Sequence, residues 1–164
     1  MATITTLATG GASAGRTAAP VPYLVEKYID FAAAATAKGS ALASADVIEC
    51  ITVPTNTLIL NAGMEVTTVM GGESSDNAFD LGITGVDADV FVDGFDADAA
   101  AAGAYAQNAA AFQPVVIGAT ADTIDLLIQA ATTAPTSGVV RVWAVLINVD
   151  GRIVADEVDR DQLA

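Results

Sequence analysis

Five carboxylates crowd one short stretch, Asp87, Asp89, Asp93, Asp96 and Asp98, with no Lys or Arg among them. Calcium takes six to eight oxygen ligands, so an acidic loop of this kind is the first place to look for a cation. The best alignment to an EF-hand loop starts at Asp89, which puts Asp93 fifth and Gly94 sixth. It then fails at the third position, Phe91, and at the twelfth, Ala100. The stretch therefore reads as a solvated acidic loop with Asp-Gly turn chemistry, and no metal ligand is assigned. Paired carboxylates also serve glycoside hydrolysis. A sugar site usually adds aromatic platforms, and this chain has one Trp and three Tyr, well separated. Trp143 lies in the most apolar segment, where core or interface is the simpler role.

Other chemistry is excluded by what is missing. The chain has no histidine, which removes Ser-His-Asp and Cys-His catalysis and the ordinary imidazole metal sites. Cys50 is the sole cysteine, so no intrachain disulfide forms. It falls in a predicted strand beside Ile48 and reads as a buried, inert thiol. Gly71-Gly72 lacks the Gly-Lys-Ser/Thr that would make a phosphate loop. No catalytic, cofactor-binding or metal residue is assigned, and no cofactor is expected.

The elements that would position any site are strands. The stretch from Gly138 to Asp150 is dominated by β-branched residues and bounded by a Ser-Gly and an Asp-Gly turn. One side carries Val140, Val142, Ala144 and Leu146. The other carries Val139, Trp143, Val145, Ile147 and Val149. A strand apolar on both sides needs cover on both, from a second sheet or a second subunit. Earlier strands are expected over 23–31, 46–53 and 57–70. The last of these alternates cleanly, with Leu58, Leu60, Ala62, Met64, Val66 and Met70 on one side and Gly63 as a bulge. The turn Pro54-Thr55-Asn56 would join 46–53 and 57–70 as a hairpin. Residues 32–45 read as a long connection with one helical turn. A short strand over 77–84 points Phe79, Leu81 and Ile83 inward, and residues 85–111 read as a surface loop with a short helix. Strands follow over 112–117 and 122–131, the latter with Ile124, Leu126, Ile128 and Ala130 inward. The pattern predicts an all-β, antiparallel β-sandwich, jelly-roll-like, with an extended N-terminal arm.

At 164 residues the chain is one domain by length. The division is an arm, 1–20, and a sandwich, 21–164. The arm holds one charge, Arg16, and reads either as a disordered tail or as an extended arm that orders against a neighbour. The acidic tail after Asp150 reads as a polar terminus or a last strand. Net charge is −14, which argues against nucleic acid and against an anionic membrane surface. No stretch approaches the roughly 20 apolar residues of a membrane helix. The N-terminus shows no charged n-region and no run of strong hydrophobes, so it is not read as a signal peptide.

Several phrases together carry a resemblance. They are Pro22-Tyr23-Leu24-Val25-Glu26-Lys27 with Ile29-Asp30-Phe31, Thr36-Ala37-Lys38-Gly39-Ser40-Ala41-Leu42, Asp46-Val47-Ile48-Glu49, Val53-Pro54-Thr55-Asn56-Thr57, Phe91-Val92-Asp93-Gly94-Phe95-Asp96 and the closing Val-rich strand. Across residues 20–150 the chain resembles small virion structural proteins of tailed phages, including cyanophages, and in particular capsid decoration, or cement, proteins. The resemblance implies a β-sandwich, often a homotrimer, on the outer surface of an icosahedral shell, bound to the major capsid protein and without enzymatic activity. A carbohydrate- or calcium-binding sandwich module, as in a head fibre or a host-surface adhesin, is the alternative. A hydrolase built on the aspartate cluster is a more distant one.

Overall fold

The computed structural model describes residues 3–9, 21–72, 77–96, 100–107, 113–129 and 133–149. The strands in chain order are β1 (Thr3–Thr9), β2 (Tyr23–Asp30), β3 (Val47–Val53), β4 (Thr57–Gly71), β5 (Ala78–Ile83), β6 (Asp87–Asp96), β7 (Tyr105–Gln107), β8 (Val115–Ile117), β9 (Asp122–Gln129) and β10 (Ser137–Asn148). One helix, α1 (Phe31–Lys38), follows β2. The strands form two sheets. Sheet A has the order β1-β3-β9-β5-β6, and sheet B the order β2-β10-β4-β7, with β8 also on β4. The fold is an all-β sandwich, antiparallel throughout its described ladders except where β1 runs parallel to β3.

The core lies between the sheets. Val, Ile, Leu and Met supply most of it, with Phe31, Phe79 and Phe91 fully buried among them. Phe31 and Phe79 stack, ring centroids 5.2 Å apart and planes 13° from parallel. Phe31 is the first residue of α1, so the aromatic pair ties the helix to β5. The helix occupies two turns of what reads from sequence as connection with a single turn. Its ends explain the difference. Asp30 Oδ1 accepts from the N–H groups of Ala32 and Ala33 at 2.9 and 3.2 Å, which is N-capping. Gly39 closes the other end in the left-handed conformation, φ 77°, with its N–H donated to Ala35 and Thr36 carbonyls.

Three sequence expectations are corrected. The turn at residues 54–56 makes no hairpin, because β3 belongs to sheet A and β4 to sheet B. Asn56, at φ 54°, directs the chain from one layer to the other. Its N–H bonds Gly118 and its carbonyl accepts from Val149, so neighbouring segments, not a facing strand, satisfy the turn. Residues 85–111 hold no helix among those described; β6 and β7 stand there instead. β5 and β6 form the hairpin that the sequence reading missed, closed by Val86 N–H to Ile83 carbonyl across Gly85 at φ 91°. Finally, the alternation of β4 inverts part-way. Val145 faces Asn61 but Leu146 faces Ile59, so Leu60 is an extra residue. A one-residue bulge swaps the faces: Thr57 and Ile59 point into the core where Leu58 and Leu60 were expected. Gly63 is no bulge; it pairs squarely with Trp143.

The sequence placed no packed strand before Tyr23, yet Thr3–Thr9 adds a strand to the edge of sheet A. Residues 10–20, the expected strand ends Phe112, Ala130 and Ala131, and the acidic tail beyond Asp150 lie outside the described residues.

Candidate interaction surface

β10 runs through the middle of sheet B, paired with β2 on one side and β4 on the other. Side chains alternate across a strand. Val140, Val142, Ala144 and Leu146 are fully buried in the core. Val139, Arg141, Trp143, Val145 and Ile147 lie on the outer face, all half-buried. The expectation that protein covers both sides of this strand is thus met on one side only by the described residues; no further layer of them lies over the other.

Directly paired residues share a face, which maps the outer surface of sheet B row by row. Ile147 pairs with Leu58, and Leu58 with Val116. Val145 pairs with Leu24 and Asn61. An aliphatic band therefore runs diagonally from Leu24 on one edge to Val116 on the other, and both ends are exposed. In the next row Trp143 lies between Glu26 and Gly63. Gly63 is the reason the indole fits: a Cβ there would meet Trp143 Cζ2 at 2.8 Å and the Ala106 carbonyl oxygen at 2.7 Å. Trp143 Nε1 and Asn61 Oδ1 are both buried without a hydrogen-bond partner among the described residues. Both atoms lie beneath the surface, so what this face offers to another protein is its exposed apolar side chains, Leu24 and Val116.

Arg141 occupies the row after that. Its Nε donates to Glu65 Oε2 at 2.8 Å, its Nη1 to Glu26 Oε2 at 3.1 Å and its Nη2 to the Tyr105 hydroxyl at 3.2 Å. One guanidinium thus spans β2, β10, β4 and β7. The sequence reading gave Arg141 no role. The signal available was a single base at an outward position of an otherwise apolar strand.

The acidic residues predicted as a loop are placed on or beside β6, the far edge of sheet A, except Asp98, which lies outside the described residues. Asp89 and Asp87 share a hydrogen bond, which holds the Asp89 carboxyl above its ordinary range. No three acidic or thiol groups among the described residues converge as metal ligands. Two carboxylates that the sequence reading left aside, Asp80 and Asp125, are more buried than Asp87, Asp89, Asp93 or Asp96. Asp80 Oδ1 accepts from Gly94 N–H at 2.7 Å, and Asp125 Oδ2 from Thr84 N–H at 3.3 Å. Desolvation by burial raises both carboxyls. Cys50 is fully buried, its thiol donating to the Ile48 carbonyl at 3.1 Å and pushed up by burial, so it is no nucleophile. An open cleft of about 390 Å³ lies between β6 and β8, lined by Val86, Val90, Val115 and Val116 with Asp87 on its wall.

No family model and no curated protein matches the sequence. Solved structures do match its fold. A chain of the Ralstonia phage GP4 capsid superposes with a TM-score of 0.57 at 15% identity, covering 87% of this chain and 97% of that one. A chain of the cyanophage Pam1 capsid asymmetric unit gives 0.56 at 14% identity, over 84% and 96%. A chain of the Helicobacter pylori bacteriophage KHP30 capsid, described as an acidic stable capsid structure, gives 0.50 at 15%, over 77% and 86%. The chain shares its sandwich with chains of three phage capsids.

Proposed function

We propose that this chain is a virion structural protein, a capsid decoration or cement protein that sits on the outer surface of the shell, binds the major capsid protein and works as a homo-oligomer, a trimer by preference. The observation that carries the reading is the aliphatic band on the outer face of sheet B, from Leu24 through Val145, Ile147 and Leu58 to Val116, with both ends exposed. The shared fold with three phage capsid chains, over most of both chains in each case, supports the setting. The mechanism is adhesive and needs no chemistry, which suits a chain without histidine.

Magnitudes say why assembly is needed. Covering an aliphatic side chain contributes roughly 1.5–3 kcal/mol. Joining two bodies costs about 4–15 kcal/mol in lost freedom of motion. A few such side chains on one copy barely exceed that cost. Repeated by symmetry on a lattice, the same contacts hold through avidity.

The test is co-sedimentation of the purified protein with empty shells of the major capsid protein from the same phage. Saturable binding in a fixed ratio to shell subunits, with a higher shell melting temperature, is the expected result. Protein left in the supernatant at every concentration would remove the reading.

A further inference from the structure

The two sheets part where an edge of each lies open, β6 of sheet A and β8 of sheet B. The cleft of about 390 Å³ lies there, walled by Val86 and Val90 on one side and by Val115 and Val116 on the other, with Asp87 among them. Both faces of β8 contribute, since Val116 is exposed and Val115 packs against the core. The cleft therefore runs along the backbone edge of β8. That strand pairs with β4 and with no other strand among the described residues.

The two edges are not equally open to a further strand. β6 is interrupted by two register shifts against β5 and carries Asp87, Asp89, Asp93 and Asp96. Bulges and charges of this kind guard an edge. β8 is regular and uncharged. It is also where the aliphatic band ends, because Val116 pairs with Leu58 beside Ile147. The face proposed against the shell thus leads into the cleft.

Charge says what can enter. From Gly39 to Val140 the chain holds thirteen acids and no Lys or Arg, and every wall of the cleft comes from that stretch. A base at Asp87 has to arrive with the occupant. A second copy has none to offer from its described surface. Its Lys38 is paired with buried Asp46, and its Arg141 with Glu26 and Glu65. Its Lys27 pairs with Val142 and is half-buried on the inner side of β2. Acids set against acids would cost affinity.

We propose that the cleft receives an extended segment of the shell protein, added as a strand to the free edge of β8. One aliphatic side chain of that segment sits among Val86, Val90, Val115 and Val116, and a Lys or Arg beside it meets Asp87. Main-chain hydrogen bonds to β8 hold the segment, and its alternate side chains decide which segment fits. A ladder this short is a modest contact on each copy, which suits a lattice that works by avidity. The inference rests on the reading of the chain as a shell-binding protein and adds what on the shell it grips.

The test is site-directed cross-linking. Val86 is exposed, so Val86→Cys can carry a benzophenone outside the core, while Cys50 is buried and stays unlabelled. The labelled protein is bound to empty shells of the major capsid protein and irradiated, and the joined peptides are read by mass spectrometry. The expected product is a segment of the shell protein that holds an aliphatic residue next to a Lys or Arg. Asp87→Asn should bind the same shells several-fold more weakly in low salt, with the gap closing in about 1 M salt. Products joined to another copy of this chain or to its own residues would overturn the inference. So would a shell segment without a base, binding without any product, or equal binding by Asp87→Asn in low salt. Where the label itself blocks binding, the Asp87→Asn comparison decides. Co-sedimentation keeps the two claims apart: protein that binds shells without a cross-link from position 86 leaves the shell reading standing, whereas unchanged protein that never binds removes both.

Discussion

The outer faces of the two sheets solve the same problem in opposite ways. Sheet A turns Asp80 and Asp125 outward and then closes over them with its own backbone. Gly94 and Thr84 donate their N–H groups to the two carboxylates, and Gly82 lets the backbone of Asp87 and Ala88 lie against β5 where any Cβ would collide. Sheet B turns aliphatic side chains and an indole outward and leaves them half-covered. Both faces keep a buried polar atom without a partner among the described residues, Asp125 Oδ1 on sheet A and Trp143 Nε1 on sheet B, so hydrogen bonding does not separate them. The difference is apolar area: the face that leaves Leu24 and Val116 exposed is the one to expect against another protein.

The contrast can be broken hardest at Gly63. Gly63→Val places a branched side chain where Trp143, Ala106 and Gln107 already stand, with contacts under 3 Å. Overpacking of this kind costs roughly 1–3 kcal/mol. Trp143 is the sole tryptophan, so its emission reports the site directly: a red shift and a lower urea midpoint are expected, while an unchanged spectrum would mean the indole does not rest on that glycine. On sheet A the lever is pH. Burial raises the carboxyls of Asp80 and Asp125, so the folded state prefers them protonated. Their contribution to stability is full below the unfolded value of about 3.9 and is lost as pH rises through the raised folded values. Urea midpoints should therefore climb on acidification from neutral toward the ordinary carboxylate range. Asp125→Asn should be the more stable at neutral pH and show a flatter profile, whereas parallel profiles for the two proteins would deny the burial. The smallest effect belongs to Arg141. Its partners are partly exposed, and pairs of that kind contribute up to about 1 kcal/mol. Arg141→Ala should lower the unfolding free energy from urea titration by no more than that, and the difference should shrink in about 1 M salt.

Which parts were legible in the sequence follows from the same physics. β9 and β10 could be read because burial on the core side forces strict alternation, and Ile124, Leu126 and Ile128 point where the period says. β6 could not, because an edge strand is free to carry acids along its length and these look like a loop. The face of Leu58 and Leu60 was lost to a single inserted residue, which leaves no mark in composition. The turn at Asn56 looks the same whether the next strand pairs beside the last or crosses the core. Of the interaction surface, the apolar character of β10 was visible, but the reach of Arg141 to Glu26, Glu65 and Tyr105 depends on strand order, which local patterns do not encode.

β10 has one more consequence. It is the last described strand to be synthesised, yet it sits between β2 and β4 and holds them in one layer. A nascent chain on the ribosome therefore carries β2 and β4 with nothing to join them until residue 148 has been made. Folding must wait for the closing stretch, then gather partners from distant parts of the chain at once, which belongs to the slow end of single-domain kinetics. Copies would meet each other only as finished bodies, never as half-made ones.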